Sequence, residues 1–203
     1  MKKVVLLISL FFASFVNAGD AEIGKSKSAL CSTCHGPDGN SSNPVWPTLA
    51  GQHEAYTARQ LELFKNGERK GTVMAGMVAG LSSKDMEDLG AYYASQKTKL
   101  ASANKNLIDA GKAVYQGGNE KMNIPACMAC HGIDGKGNPL SGYPSVAGQH
   151  AAYNEQRLKA FRAGETVANP DDVNGNIMAS VAKYLSDEEI KAVASYMQGL
   201  YTK

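Results

Sequence analysis

The sequence lacks an excess of charge of either sign. Its 203 residues contain 21 lysines and arginines and 19 aspartates and glutamates, and the difference disappears once Lys2 and Lys3 at the N-terminus are set aside. A protein that binds nucleic acid normally has lysine and arginine clustered on one face or a strongly basic domain. The balance therefore gives no indication of a nucleic-acid partner, or of attachment to a membrane surface by charge.

Long apolar runs are also scarce, and the one that stands out extends from Val4 to Val16. It is too short for an ordinary membrane-spanning helix, which needs about 20 mainly apolar residues. Two lysines precede it and the compact residues Val16-Asn17-Ala18 end it, which is the pattern of a secretory signal. We expect residues 1–18 to be a signal peptide cleaved after Ala18, and the mature protein to have no stable membrane insertion. An uncleaved N-terminal anchor is the alternative.

Cysteine is rare, and all four cysteines fall in two copies of one motif, Cys-x-x-Cys-His. This spacing with a following histidine is the signature of haem attachment. Residues at i and i+3 of a helical turn share a face, so both sulfurs can reach the two vinyl groups on one edge of a porphyrin while the histidine turns toward the iron. We predict two covalently bound haem c groups, attached through Cys31, Cys34, Cys127 and Cys130, with His35 and His131 as proximal iron ligands.

Three other uses of such cysteines fit the sequence less well. A disulfide framework suits an exported protein but does not require a histidine after each pair. Zinc can take two Cys-x-x-Cys pairs, yet here the pairs lie far apart in the chain, at Cys31 and Cys127. A thioredoxin-like redox motif needs a strand before its helix, and the sequence shows none.

The order of motifs occurs twice along the chain. After each Cys-x-x-Cys-His motif comes a similar stretch, Pro47 to His53 in the first copy and Pro144 to His150 in the second. A polar stretch without apolar periodicity, from about Lys97 to Asn106, separates the copies and is typical of a linker. The repeat predicts a first domain over residues 19–100 and a second over 101–203.

Local patterns inside each copy are helical, and no alternating strand pattern is present. Leu81-Ser82 and Leu185-Ser186 each begin an apolar helical period with an acidic residue three positions after the serine, which is a capping-box arrangement. A middle helix is expected from His53 to Gly67, with a counterpart from His150 to Gly164. The sequence thus predicts an all-α protein of two tandem domains.

The sixth iron ligand decides between a carrier and an enzyme. Met74 and Met178 each stand seven residues before the Leu-Ser cap, so they are the methionines found in both copies at the same position. We predict them as the axial ligands opposite His35 and His131. Alternatives are Met77, which aligns with Val181, and a bis-histidine pair formed by His53 and His150. The remaining candidates, Met86, Met128 and Met197, are expected in the core.

A thioether favours the lower charge state of iron, so histidine–methionine ligation raises the reduction potential. With both axial positions occupied, no substrate binds the iron, which predicts an electron carrier rather than an enzyme. Two rival hypotheses are a dihaem peroxidase, which needs one five-coordinate iron, and an electron-entry subunit of a larger complex, which predicts an anchor or a large apolar patch.

These motifs, together with the duplicated order, resemble the dihaem cytochromes c4, in which each half is similar to a class I cytochrome c. The resemblance implies a pseudo-twofold arrangement of the domains, a periplasmic location, and service between a membrane-bound cytochrome c reductase and an oxidase.

The resemblance also implies roles for four pairs of residues. The carbonyl groups of Pro47 and Pro144 accept a hydrogen bond from the proximal imidazoles, and Leu49 and Val146 pack on the haems.

The remaining residues implied by the resemblance lie where the first helix of each domain meets the last. Gly24 and Gly111 lie at this crossing, against Tyr92 and Tyr196.

Overall fold

The structure is a computed structural model that describes residues 18–165 and 171–200. Almost all of the expected signal peptide, residues 1–17, lies outside the described part. The first half contains α1 (Ala21–Lys27), α2 (Ala29–His35), α3 (Glu54–Lys65), α4 (Thr72–Val78) and α5 (Ser83–Ser95). The second half contains α6 (Ile108–Gly117), α7 (Met128–His131), α8 (Ala151–Arg162), α9 (Val173–Ala182) and α10 (Asp187–Gln198).

The all-α prediction is confirmed for the described residues. They form no β-strand, and only two isolated bridges join extended backbone, at Asn119 with Ile124 and at Asn138 with Tyr143. Three short 3₁₀ helices, Lys105–Leu107, Glu120–Met122 and Pro139–Ser141, complete the regular structure.

Both predicted capping boxes are present. The Ser82 hydroxyl accepts the backbone N–H of Asp85, whose carboxylate accepts the N–H of Ser82 in return, and Ser186 and Glu189 make the same exchange. Each exchange satisfies two amides that a helix start otherwise leaves without partners. The beginnings of α5 and α10 are therefore fixed by the sequence itself.

The first and last helices of each half pack directly on one another, α1 on α5 and α6 on α10. Their contacts pass through Gly24 and Gly111. A Cβ on Gly24 would overlap the backbone carbonyl of Asp88, and one on Gly111 would lie 2.6 Å from the Cβ of Tyr196. The close approach that the resemblance implied is confirmed in both halves.

The last helices also supply the residues of the core. Met86, Leu89 and Tyr93 of α5 are at most 2% exposed, as are Ile190 and Val193 of α10. Each fully buried apolar side chain of this size stabilises the fold by about 1.5–3 kcal/mol. The first and middle helices of each half pack on these last helices.

The two halves differ in the segment that precedes the Cys-x-x-Cys-His motif. In the first half α2 follows α1 after the single residue Ser28, whereas α6 and α7 are separated by residues 118–127. Gly118 has a positive φ of 67° there, and a Cβ on it would overlap the carbonyl of Ile124. The extra chain thus forms a compact loop rather than a longer helix.

The expected linker has no helix from 96 to 104 and is bound to both halves. Lys99 N–H donates to Asn40 Oδ1 at 2.7 Å in the first half, and Asn104 N–H donates to Ser195 Oγ at 2.9 Å in the second. The helices within the described ranges are all too short or too polar to traverse a lipid bilayer.

Candidate functional site

The first Cys-x-x-Cys-His motif forms the end of α2. His35 is 7% exposed, and its Nδ1–H donates to the Pro47 carbonyl at 2.9 Å. Because a carbonyl can only accept, the proton lies on Nδ1 and the Nε2 lone pair is free. Burial lowers the pKa of His35, which favours this neutral imidazole. The ring is therefore held in the tautomer that a metal ligand needs.

The second motif repeats this geometry around α7. His131 is also 7% exposed, and its Nδ1–H donates to the Pro144 carbonyl at 2.9 Å. Burial lowers its pKa too, so the neutral ring again offers Nε2. Both hydrogen bonds that the resemblance implied are confirmed.

The cysteines of the two motifs are all half-buried, and none of the four forms a disulfide. Burial raises the pKa of Cys127 to about 11 and also raises the pKa of Cys31. Zinc binding and thiol redox chemistry use the thiolate, which burial disfavours at Cys31 and Cys127. Within the described ranges no three His, Cys, Asp or Glu side chains converge as a metal-ion site. The donor set fits haem attachment better than either alternative.

Apolar side chains lie beside the cysteines in both halves. Leu49 and Cys31 pack against the cluster formed by Leu89, Tyr92 and Tyr93. In the second half, Val146 and Cys127 pack against the main core cluster, which contains Ile190 and Val193. The first cysteine of each motif thus stands at an apolar wall suited to a flat hydrophobic cofactor.

The two predicted axial methionines come from corresponding helices. Met74 lies in α4 and packs beside Phe64, Val78 and Met86, whereas Met178 lies in α9 against the core of the second half. Met77, the rival for the first site, is 44% exposed. The partly buried pair Met74 and Met178 is therefore in the more suitable setting for ligands.

His53 and His150 each have a backbone carbonyl as hydrogen-bond partner. His53 Nε2–H donates to the Lys136 carbonyl at 2.8 Å, and His150 Nε2–H donates to the Ser41 carbonyl at 2.9 Å. Both bonds cross from one half of the molecule to the other. This geometry favours an interface role over the bis-histidine alternative.

An unsatisfied arginine nitrogen indicates where an anionic group belongs. Arg69 donates from Nη1 to Gln60 Oε1 at 2.7 Å and from Nη2 to the Tyr153 hydroxyl at 2.8 Å, while its buried Nε has no partner. A buried donor left unpaired is costly, and a haem carries carboxylate side chains that can accept from it. The residues present therefore fit a haem. The sequence did not indicate this role for Arg69, because the second copy of the repeat has no arginine at the corresponding position.

A duplicated helical fold with two Cys-x-x-Cys-His motifs, each with its histidine fixed by a proline carbonyl, defines a two-domain c-type cytochrome. The family model for cytochrome c matches residues 21–97 and 108–201. Cytochrome c4 of Azotobacter vinelandii and cytochrome c4 of Pseudomonas aeruginosa are each 41% identical to the chain, over 98% of either length. The crystal structure of reduced recombinant cytochrome c4 from Pseudomonas stutzeri matches with a TM-score of 0.86 and 43% identity, covering 91% of this chain and 100% of that one.

The chain belongs to the cytochrome c family and, within it, to the cytochromes c4. It is accordingly a dihaem electron carrier with two covalently bound haem c groups, as the sequence predicted.

Proposed function

We propose that the chain carries electrons one at a time in the periplasm, with one haem in residues 19–100 and the other in residues 101–203. Cys31 and Cys34 attach the first haem, and Cys127 and Cys130 attach the second. When bound, each haem supplies an iron that is reversibly reduced by one electron. The observation that carries the proposal is the matched pair of buried histidines whose Nδ1–H groups donate to Pro47 and Pro144 at 2.9 Å.

His35 and His131 would hold the two irons through Nε2, and Met74 and Met178 would each supply a second protein ligand. A soft sulfur opposite an imidazole favours the reduced state and raises the potential. Both methionines stand beside apolar core residues, which limits the access of water. With two protein ligands on each iron, the protein would transfer electrons without binding a substrate at either iron.

The partners we propose are a membrane-bound cytochrome c reductase as donor and an oxidase as acceptor. The support is membership of the cytochromes c4 and the secretory pattern of residues 1–18, with cleavage after Ala18. Edman sequencing of the protein from a periplasmic extract tests the location, and Gly19 is the expected first residue.

The deciding experiment compares the oxidised and reduced spectra of the purified protein with and without hydrogen peroxide. Two low-spin haems with a sulfur-to-iron charge-transfer band, unchanged by peroxide, are expected for a carrier. A high-spin ferric fraction that reacts with peroxide would instead identify the dihaem peroxidase. Mixing with membranes that contain the reductase or the oxidase then measures reduction and reoxidation directly.

A further inference from the structure

The peptide unit between Pro47 and Thr48 has a partner on each side. Its carbonyl accepts the Nδ1–H of His35 at 2.9 Å, and its N–H donates to Gln149 Oε1 at 2.9 Å. Gln149 belongs to the other half of the molecule, and both Thr48 and Gln149 are at most 8% exposed. One buried peptide therefore joins the proximal histidine of the first domain to a side chain of the second.

The same arrangement occurs in the opposite direction. The peptide between Pro144 and Ser145 accepts from His131 Nδ1–H at 2.9 Å, and its N–H donates to Gln52 Oε1 at 3.0 Å. Gln52 and Gln149 are corresponding residues of the repeat. The two relays are thus related by the pseudo-twofold symmetry of the domains.

Each glutamine is fixed in orientation by its other hydrogen bonds. Gln149 Nε2–H donates to the Thr48 carbonyl at 2.8 Å and Gln52 Nε2–H to the Ser145 carbonyl at 2.9 Å. The two Oε1 atoms also accept the backbone N–H of the following residue, His150 or His53, at 3.0 Å. Rotation of either amide by a half turn would place oxygen against carbonyl, so the acceptor always faces the peptide N–H.

Hydrogen bonds to the two ends of one peptide strengthen each other, because accepting from the N–H makes the carbonyl a better acceptor. A better acceptor draws the Nδ1 proton of the imidazole and increases electron donation from Nε2 to a bound metal. More donation stabilises the oxidised iron and lowers the reduction potential.

We propose that each domain tunes the haem of the other: Gln149 acts through the Pro47–Thr48 peptide on His35, and Gln52 acts through the Pro144–Ser145 peptide on His131. Both glutamines are positioning residues, since neither contacts the histidine. The inference rests on the proposed function, because it takes the two histidines as iron ligands.

The ordinary alternative is that the glutamines only hold the domains together. The two interpretations differ in which haem responds. If Gln149 only holds the domains together, its loss should change the reduction potentials of both haems alike. If the relay operates, its loss should change the potential of the first haem. The sign differs as well: water admitted to a loosened interface stabilises oxidised iron and lowers the potential, whereas a weaker relay raises it.

The test is a redox titration of the holoprotein followed by NMR, which resolves the two haems. Gln149→Met keeps the side-chain volume and removes the acceptor. It is expected to raise the reduced-to-oxidised ratio of the first haem at a fixed potential by about two- to fivefold, and to leave the second near wild type. Gln52→Met, at the less buried site, should give the mirror result at the second haem.

A matched control is His150→Leu, which removes another hydrogen bond across the interface, to the Ser41 carbonyl, without touching either relay peptide. It should leave both potentials unchanged. In the reduced state, the His35 Nδ1–H resonance should move upfield in Gln149→Met but not in His150→Leu, because its hydrogen bond is weaker.

Equal shifts at both haems, a fall in potential, or the same effect from His150→Leu would overturn the relay. If the Gln149 variant does not fold with its haems, the Gln52 variant tests the proposal through the corresponding change expected at the second haem. Failure of the proposed function has a separate signature, because the wild-type spectrum would then lack two histidine–methionine haems before any glutamine is changed.

Discussion

Gly111 of α6 and Tyr196 of α10 pack so closely that a Cβ on the glycine would stand 2.6 Å from the Cβ of the tyrosine. The carbonyl of Ala192 lies closer still to the same position. The tyrosine ring is in turn stacked at a tilt on Tyr115, with 5.5 Å between centroids. The crossing of first and last helix thus depends on the absence of one methyl group.

Replacing Gly111 with alanine should therefore push α6 away from α10. We expect a loss of about 1–3 kcal/mol in the free energy of unfolding, as for other overpacked sites. Gly117→Ala in the same helix is the control, since its Cβ would meet nothing within 4 Å, and it should gain about 0.4–1 kcal/mol. Urea unfolding measures both, and equal effects of the two substitutions would contradict the close-packing account.

Met74 and Met77 provide a direct test of the first axial ligand. Met74→Ala should remove about half of the sulfur-to-iron charge-transfer band, because one of two thioether–iron bonds is lost. Met77→Ala should retain the whole band, since this side chain is 44% exposed. The oxidised spectrum of each variant measures the band. Full intensity in Met74→Ala together with loss in Met77→Ala would reverse the assignment.

Asp88 should make the first domain sensitive to acid. The backbone N–H of Asp20 and the Lys84 ammonium, at 2.7 and 3.1 Å, hold the pKa of this carboxyl below its usual range. A pKa lowered by folding gives stability that is present above about 4 and is lost as the pH falls through the folded-state value. The second domain has Ala192 at this position.

Asp88→Asn should therefore flatten the dependence of the melting temperature on pH below about 4. It should also lower the melting temperature at pH 7, where the wild-type carboxylate is ionised. Asp109→Asn, at an exposed position of α6, is the control and should follow the wild-type curve. Thermal melts from pH 7 to pH 2 give the comparison, and a curve for Asp88→Asn as steep as the wild type would refute the role.

Asp172 connects the first domain to the helix that carries Met178. Its Oδ1 caps α9 by accepting Gly175 N–H at 2.9 Å and also accepts Arg59 Nη2–H from α3 at 2.7 Å. Asp172→Ala should cost about 1 kcal/mol through the lost cap and let added imidazole displace Met178 more readily. Arg59→Ala leaves the cap intact, so it should leave the displacement of Met178 by imidazole close to wild type. Imidazole titration of the charge-transfer band measures the difference, and identical curves would contradict it.

Much of the fold was predictable because its determinants are local. Each of these features depends on residues that are close together in the sequence. They are the capping boxes at Ser82 and Ser186, the middle helices that start after His53 and His150, and the paired Cys-x-x-Cys-His motifs. The repeat added information that one copy alone does not contain, because Met74 aligns with a methionine of the second copy and Met77 does not.

The contacts between domains were not predictable in the same way. Gln52 and His53 occur in a helix-start pattern that explains them locally, yet their partners Ser145 and Lys136 are more than eighty residues away. Periodicity reports which face of a helix is buried but not which segment covers it. The short helices α4 and α9 were also missed, because neither begins with the Ser-x-x-acid capping box that marks α5 and α10.

The central claim is that each of the two domains carries one haem fixed to its own cysteine pair. Mass spectrometry of the purified protein, intact and after proteolysis, tests it most directly. The account predicts a mature chain with the added mass of two haems, one on the peptide containing Cys31 and Cys34 and one on the peptide containing Cys127 and Cys130. A chain with a single haem, or with either peptide unmodified, would contradict it.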